Sequence, residues 1–293
     1  DILIRGTSQT AARLGISALV ISLVVVAFGT SAPEFAISVG AAVQNHNDIS
    51  TGNIIGSCIA NLLLVLGLSA VIRPIKLHRG IIKRELPILL ITTGILLIFT
   101  LLNLLDSLHV IGGILFLLFF AIFLVYFCRI AQLEHKNAVP KFDEGKNFTN
   151  TLLIVIGIAG VVIGAWLLIE GAVSIANQFG IPQIIIALSM VAIGTSLPEL
   201  VVSSLAAFRK ESDIAVGNII GSNIFNILLI LGTAAVIIPL NASGSLNHII
   251  FLLIVTIIMA PILYSGSTIT RGEGAFLLII YIGYMWFLFA PPF

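Results

Sequence analysis

The stretch GTSAPE at residues 29–34, followed by GNIIGS at 52–57 and by Asn61, decides how this chain of 293 residues is organised. The same pieces recur 165 residues further on, as GTSLPE at 194–199, GNIIGS at 217–222 and Asn226. Because the offset is constant, no insertion separates the pieces within either copy. The chain is therefore an internal duplication, and each copy places a glutamate within apolar sequence.

The composition of the chain is that of an integral membrane protein. Hydrophobic residues make up 59% of the sequence and charged residues only 9%, and the mean hydropathy is +1.18. A soluble globule of this composition could not cover itself with polar surface. Apolar stretches of about 20 residues, the length needed to cross a bilayer, predict nine full spans, at about 14–42, 51–72, 84–103, 107–130, 151–177, 181–208, 215–239, 247–265 and 275–290.

The beginning of the chain aligns with the interior of a later span. Residues 1–6 correspond, at the same offset, to residues 166–171, in the second half of the span that begins near residue 151. We therefore expect an all-α, ten-span transporter of two five-helix halves, with the first helix largely absent from this chain. The expected division is a first half at 1–130, a cytoplasmic linker at 131–149 and a second half at 150–293.

The basic residues predict the orientation of the spans. All 14 Lys and Arg residues fall on alternate connections between the predicted spans. The positive-inside rule places these connections in the cytoplasm, so both termini of the full ten-span protein are expected outside the cell membrane. The spans that carry Glu34 and Glu199 then run in opposite directions. Similar sequences in opposite orientation predict an inverted-repeat transporter with its site near the bilayer midplane.

Glu34 and Glu199 are the two acidic residues that fall deep within predicted spans. An ionised carboxylate at that depth costs about 2.5–3.5 kcal/mol on insertion scales unless a partner or a water-filled cavity compensates it. The sequence places no Lys or Arg at comparable depth. We therefore expect the partner to be a cation that binds and leaves.

Oxygen-bearing groups surround both glutamates. Pro33 and Pro198 each remove a helical hydrogen bond, which releases backbone carbonyls in the preceding turn. In the following span, polar side chains recur every four residues and so share one helix face; they are Asn53, Ser57 and Asn61 in the first copy and Asn218, Ser222 and Asn226 in the second. Hard oxygen ligands of this kind suit Na⁺ or Ca²⁺. The cysteines, Cys58 and Cys128, are interpreted as small apolar residues.

These two blocks resemble the α-repeats of the calcium/cation antiporter superfamily, specifically of its sodium/calcium exchanger group and prokaryotic members. The resemblance implies a secondary active antiporter that exchanges Ca²⁺ for Na⁺ by alternating access, with the first and sixth helices of the family sliding as a gate. It also implies the ligands of three ion sites. The calcium site would use the carboxylates of Glu34 and Glu199 with the carbonyls of Thr30 and Thr195, and Asn61 and Asn226 would border the middle. The outer sodium site would use Ala192, Thr195, Ser196, Ser222 and Glu199, and the inner sodium site would use Ala27, Thr30, Ser31, Ser57 and Glu34.

Two other transport functions stay open at this point. A H⁺/Ca²⁺ exchanger would use the same carboxylates to carry protons, although the GTSxPE form resembles the sodium-coupled branch more closely. A passive cation channel is less favoured, because inverted repeats and a closed two-carboxylate site indicate exchange. Some relatives, potassium-dependent exchangers among them, carry Asp where this chain has Asn226. No catalytic constellation, nucleotide-binding loop or intramembrane histidine cluster indicates an enzyme or a cofactor, so the expected partners are membrane lipid and the transported cations, with no nucleic acid.

Overall fold

The computed structural model describes residues 1–76, 84–137, 147–178, 192–266 and 268–289. Within these ranges the chain is almost entirely helical. Before residue 138 the elements are α1 (Ile2–Leu14), α2 (Ala18–Thr30), α3 (Ala32–Val43), α4 (Asn47–Ile72), β1 (Ile75–Lys76), α5 (Leu86–Leu101) and α6 (His109–Asn137). After residue 146 they are α7 (Asn147–Gln178), α8 (Ala192–Thr195), α9 (Leu197–Phe208), α10 (Ser212–Ile237), a 3₁₀ turn (Ala242–Ser245), α11 (Leu246–Gly266), β2 (Thr268–Ile269) and α12 (Arg271–Phe289).

The long apolar helices confirm a multi-pass membrane protein. Among the described residues α4, α6, α10 and α11 are each long and apolar enough to cross a bilayer, and α2 with α3, which meet at a bend of 48°, form a fifth candidate span. The total of nine full spans stays a prediction, because the span predicted at 181–208 includes residues 181–191, which lie outside the described ranges.

The helices α4 and α10, which carry the two GNIIGS segments, form the centre of the bundle. In their most apolar windows 78% and 83% of the residues are buried, against 28% in α6 and in α11. At the periphery, α12 presents Ile279, Ile282 and Trp286 outward with exposed fractions of 66–79%. Large outward apolar side chains around a core that contains the polar residues are the arrangement that lipid as a solvent requires.

Two glycines let α10 approach α2 closely. A Cβ atom on Gly217 would lie 2.9 Å from the carbonyl oxygen of Leu19, and one on Gly221 would overlap the carbonyl oxygen of Leu23 and lie 2.7 Å from the Cβ of Ala27. Contacts this short are not available to any residue with a side chain. The small residues of the second GNIIGS segment therefore place α10 directly against the helix that leads to Glu34.

The two halves are joined by two equivalent connections. β1 pairs antiparallel with β2, with Ile75 opposite Ile269. Leu240 corresponds to Ile75 at the 165-residue offset, and its N–H donates to the carbonyl of Leu105 at 2.9 Å. Asp106 reinforces this second connection by accepting hydrogen bonds from the N–H groups of Ala242 (2.6 Å) and Ser243 (3.1 Å). Residue 75 and its counterpart at residue 240 therefore both pair with the backbone of the other half.

The C-terminal end of α6 contacts the turn between α1 and α2. Gly15 ends α1 in the left-handed region, at φ 63°, and the N–H of Ser17 donates to Glu134 Oε2 at 2.7 Å. Nδ1 of His135 lies 2.5 Å from the carbonyl oxygen of Leu14. α6 thus continues into the segment predicted as the 131–149 linker, of which 138–146 lie outside the described residues. The division at 1–130, 131–149 and 150–293 stays a prediction.

We expect Gly221→Ala to destabilise the fold. The added methyl group would meet the Leu23 carbonyl, and overpacking of this kind costs about 1–3 kcal/mol. The midpoint of thermal unfolding in detergent should therefore fall. The matched control is Gly283→Ala, because Gly283 is exposed on α12 with nothing within 4 Å of the added Cβ, and alanine favours a helix over glycine. Equal unfolding midpoints for the two variants would contradict the close packing of α10 on α2.

Candidate cation site

A helix is interrupted at the same serine position in each half. α2 ends at Thr30, Ser31 adopts φ −83° and ψ 9°, and α3 begins with Pro33 in its first turn. In the second half Ser196 adopts φ −84° and ψ 5°, and Pro198 opens α9. Proline is well suited to the first turn of a helix, where its missing N–H would have no intrahelical partner. Each glutamate therefore lies in the first turn of a new helix, next to a break.

The two carboxylates are fully buried and are held by serines of the opposite half. Both Glu34 and Glu199 have an exposed fraction of 0%. The hydroxyl of Ser31 donates to Glu199 Oε1 at 2.9 Å, and that of Ser196 donates to Glu34 Oε1 at 3.4 Å. Ser222 adds a second donor to Glu199 Oε1, at 3.1 Å. Neither half can build its carboxylate environment alone.

Asparagines of the central helices hold the two site threonines. Thr30 Oγ1 donates to Asn218 Oδ1 at 3.0 Å, and Thr195 Oγ1 lies 3.3 Å from Asn53 Oδ1. The amide Nδ2 atoms of these asparagines donate in turn to serines one helix away, at 2.8 Å from Asn53 to Ser38 and at 3.1 Å in the equivalent pair of Asn218 and Ser203. Because each amide is held at both ends, its oxygen faces the threonine in both halves.

One oxygen of each carboxylate is left over. Within the described residues no hydrogen-bond donor contacts Oε2 of Glu34, Oε2 of Glu199 or the Oδ1 atoms of Asn61 and Asn226. The amide nitrogens of Asn223 and Asn226 likewise have no acceptor there. Unpaired buried polar atoms are costly and rare in folded proteins. Several of them converging on one buried region, most of them oxygen acceptors, are suited to a hard cation. In the described part of the chain no group of three or more His, Cys, Asp or Glu side chains comes together.

Most of the predicted ligands therefore lie in short hydrogen-bonded chains that cross between the two halves. Ser31 and Ser222 donate to Glu199, and Ser196 donates to Glu34. Thr30 donates to Asn218, and Thr195 contacts both Asn53 and Ser57, whose hydroxyl lies 3.3 Å from Thr195 Oγ1. Asn61 and Asn226 lie in π-helical turns just beyond Ser57 and Ser222. The carbonyl of Ala27 accepts from the N–H of Ser31 at 3.0 Å and from Thr30 Oγ1 at 3.3 Å. Ala192 is the first described residue of α8, and its side chain lies outside the described part.

One polar residue of this region was missed from the sequence. Asn223 is fully buried, and its Oδ1 accepts a hydrogen bond from Asn61 Nδ2 at 3.2 Å. Its counterpart at the 165-residue offset is Cys58, so the symmetric pattern of polar positions does not include it. Asn223 lies outside the four-residue repeat of Asn218, Ser222 and Asn226. The mismatch between the two motif copies was the available signal.

Comparisons with known proteins identify the family of this chain. The family model described as sodium/calcium exchanger protein matches residues 1–129 and 149–290. CaxA of Alkalimonas amylolytica, whose name describes an antiporter, is 38% identical over 99% of this chain and 94% of its own length. The sodium/calcium exchanger MaX1 of Methanosarcina acetivorans is 33% identical over 99% of this chain and 94% of its own.

A solved structure has the same fold. The sodium-calcium exchanger NCX_Mj, soaked with zero Na⁺ and Ca²⁺, superposes with a TM-score of 0.84 at 33% identity, covering 98% of this chain and 92% of NCX_Mj. The matched family, the relatives and the protein of the solved structure are transporters and not enzymes. This chain belongs to the sodium/calcium exchanger family.

Proposed function

We propose that the protein is a secondary active antiporter that exchanges Ca²⁺ for Na⁺ across the cell membrane by alternating access at the site between Glu34 and Glu199. The observation that carries the proposal is the pair of fully buried carboxylates, each of which accepts a hydrogen bond from a serine of the other half and has one oxygen that no donor among the described residues contacts. Two carboxylates that are ionised while buried in this way need a compensating cation.

The charge of the site favours competition between the two ions. Two ionised carboxylates balance the charge of one Ca²⁺ or of two Na⁺. One Ca²⁺ and two Na⁺ therefore compete for the centre of the site. Hydroxyl, amide and carbonyl oxygens supply the remaining ligands, which suits the 6–8 oxygen atoms that Ca²⁺ typically takes. No soft ligand that would select a transition metal belongs to the proposed set. A third Na⁺ would leave net positive charge in the site during transit.

We assign the ions as the family resemblance implies. Ca²⁺ would bind Glu34 and Glu199 with the carbonyls of Thr30 and Thr195, and Asn61 and Asn226 would border the middle of the site. One Na⁺ would bind on the outer side and another on the inner side; the outer ligands are Ala192, Thr195, Ser196, Ser222 and Glu199, and the inner ligands are Ala27, Thr30, Ser31, Ser57 and Glu34. Ser31 supports coupling between the sites, because this inner ligand donates to the outer carboxylate of Glu199.

The gate is proposed to be the helix pair α1 and α7. α7 packs on α1 with Gly157 against Leu3, where an added Cβ would lie 2.6 Å from the Cβ of Leu3. One residue further along, Ile158 covers Gly29 in the turn before Ser31, where a Cβ would lie 2.5 Å from the Ile158 side chain. A sliding movement of this pair would therefore uncover the helix break that carries the site.

We expect Glu34→Gln and Glu199→Gln each to abolish exchange while the protein still folds. Each change removes half of the charge that balances Ca²⁺ without changing side-chain volume, and loss of one partner of a buried ion pair costs about 3–5 kcal/mol. Ca²⁺ affinity, measured by ⁴⁵Ca²⁺ binding to the purified protein, should fall by roughly 100-fold or more. Glu273→Gln is the control, since Glu273 accepts from the N–H of Thr270 at the start of α12, away from the site. Near-native affinity in either site variant would contradict the assignment.

Coupling to Na⁺ is tested by imposed gradients in proteoliposomes. Ca²⁺ uptake should follow an outward Na⁺ gradient, be indifferent to a pH gradient and proceed equally with K⁺ or choline on both sides, because only two carboxylates and no third acidic group form the proposed site. More than two Na⁺ per Ca²⁺ would make the exchange electrogenic. Flux driven by a pH gradient alone would indicate the H⁺/Ca²⁺ alternative, and Ca²⁺ flux without a counter-ion would indicate a channel.

The inverted orientation of the halves, with both termini of the full-length protein outside, is tested by single cysteines in a Cys58→Ala, Cys128→Ala background. Gln44→Cys and Arg209→Cys occupy exposed positions that are equivalent at the 165-residue offset. An impermeant thiol reagent should label Gln44→Cys from outside and Arg209→Cys only from the cytoplasm. Labelling of both from one side would contradict the inverted repeat.

A further inference from the structure

The two halves of the site differ at one polar position. The first motif copy contains GSCIAN at residues 56–61 and the second contains GSNIFN at 221–226. Asn223 therefore corresponds to Cys58, whereas Asn61 and Asn226 correspond to one another. All four side chains are fully buried in the centre of the protein.

In the first half, Asn223 determines which amide atom of Asn61 is free. Asn61 Nδ2 donates to Asn223 Oδ1 at 3.2 Å. This hydrogen bond turns the nitrogen of Asn61 toward α10 and leaves its oxygen, Oδ1, without a hydrogen-bond donor in the described part of the chain. Asn61 also begins the π-helical turn of α4, one helical turn beyond Ser57, and such turns occur frequently at functional sites.

In the second half, the equivalent contact is weaker. The amide of Asn226 faces the thiol of Cys58, but neither amide atom has a hydrogen bond of normal length among the described residues. The Cys58 sulfur instead lies 3.9 Å from the backbone carbonyl of Asn223. A thiol is a weak donor and a weak acceptor, so it cannot orient an amide as the Asn223 side chain does.

We propose that Asn223 is a positioning residue that presents the oxygen of Asn61 to the transported cation, whereas the thiol of Cys58 orients Asn226 only weakly. The first-half asparagine is then the stronger of the two amide ligands. The physical reason is preorganisation: a ligand atom that is already held in place loses less freedom when the ion binds. This inference rests on the proposed function, because it deepens the assignment of the same cation site.

The test measures Ca²⁺ binding to the purified full-length protein for Asn223→Ala, Asn61→Ala and the double variant. Loss of one orienting hydrogen bond should weaken Ca²⁺ affinity by about three- to tenfold in Asn223→Ala. Because Asn223 acts through Asn61, the double variant should bind no more than about twofold more weakly than Asn61→Ala alone. Fully additive losses would overturn the proposal.

The second half provides the matched test in the opposite direction. Cys58→Asn supplies the missing amide and should strengthen Ca²⁺ binding, and this gain should disappear in an Asn226→Ala background. A gain that persists without Asn226 would overturn the proposal, as would weaker binding in Cys58→Asn with an unchanged unfolding midpoint. If Cys58→Asn does not fold, the Asn223 and Asn61 variants decide the question by themselves.

Two further readouts separate positioning from structure and from the proposed function. The unfolding midpoint without Ca²⁺ reports a structural role, whereas the increase in that midpoint on adding Ca²⁺ reports binding; we expect Asn223→Ala to reduce the increase more than the midpoint itself. A loss confined to the midpoint would overturn the proposal. If Glu34→Gln leaves Ca²⁺ binding unchanged, the proposed function is refuted as well. If Glu34→Gln abolishes Ca²⁺ binding but the losses at Asn223 and Asn61 are additive, only this inference is refuted.

Discussion

The structure depends on one constraint, the burial of two carboxylates in a membrane protein without a basic partner. Glu34 and Glu199 are fully buried, and among the described residues their side-chain partners are serine hydroxyls instead of Lys or Arg. Neutral donors stabilise a carboxylate without neutralising it, whereas a permanent salt bridge would supply a fixed counter-charge. In the proposed function, the absence of such a counter-charge from the described part of the site is what would let an ion bind and leave.

The same constraint explains why the halves are so closely interlocked. Each carboxylate accepts from a serine of the other half, and each site threonine contacts an asparagine of the other half. Such contacts require helix breaks and central helices to lie within a few ångströms of one another, which Gly217 and Gly221 permit. The equivalent connections at Ile75 with Ile269 and at Leu240 with Leu105 hold the two halves in this register.

Duplication does not make the two half-sites identical. Asn61 is held by Asn223, while the equivalent Asn226 faces the weakly bonding thiol of Cys58. Among the described residues Glu199 accepts from two serines and Glu34 from one. A transporter built from inverted repeats exposes its halves to opposite sides of the membrane in turn. Small differences of this kind can therefore give the inner and outer halves of the site different affinities for the same ion.

The sequence by itself determined the class of protein, the duplication and the chemistry of the site. Composition required a membrane, the constant offset identified equivalent residues, and buried glutamates among hydroxyl and amide side chains pointed to a hard cation. These properties follow from local sequence, because burial of a charge in an apolar span is costly wherever the span packs. Only the tertiary structure decided which half supplies each contact. The 165-residue offset shows that Ser31 and Ser196 are equivalent, but it does not show that each binds the glutamate of the other half. Asn223 was missed for the same reason, since its role arises from packing between α4 and α10 and its sequence counterpart is a cysteine.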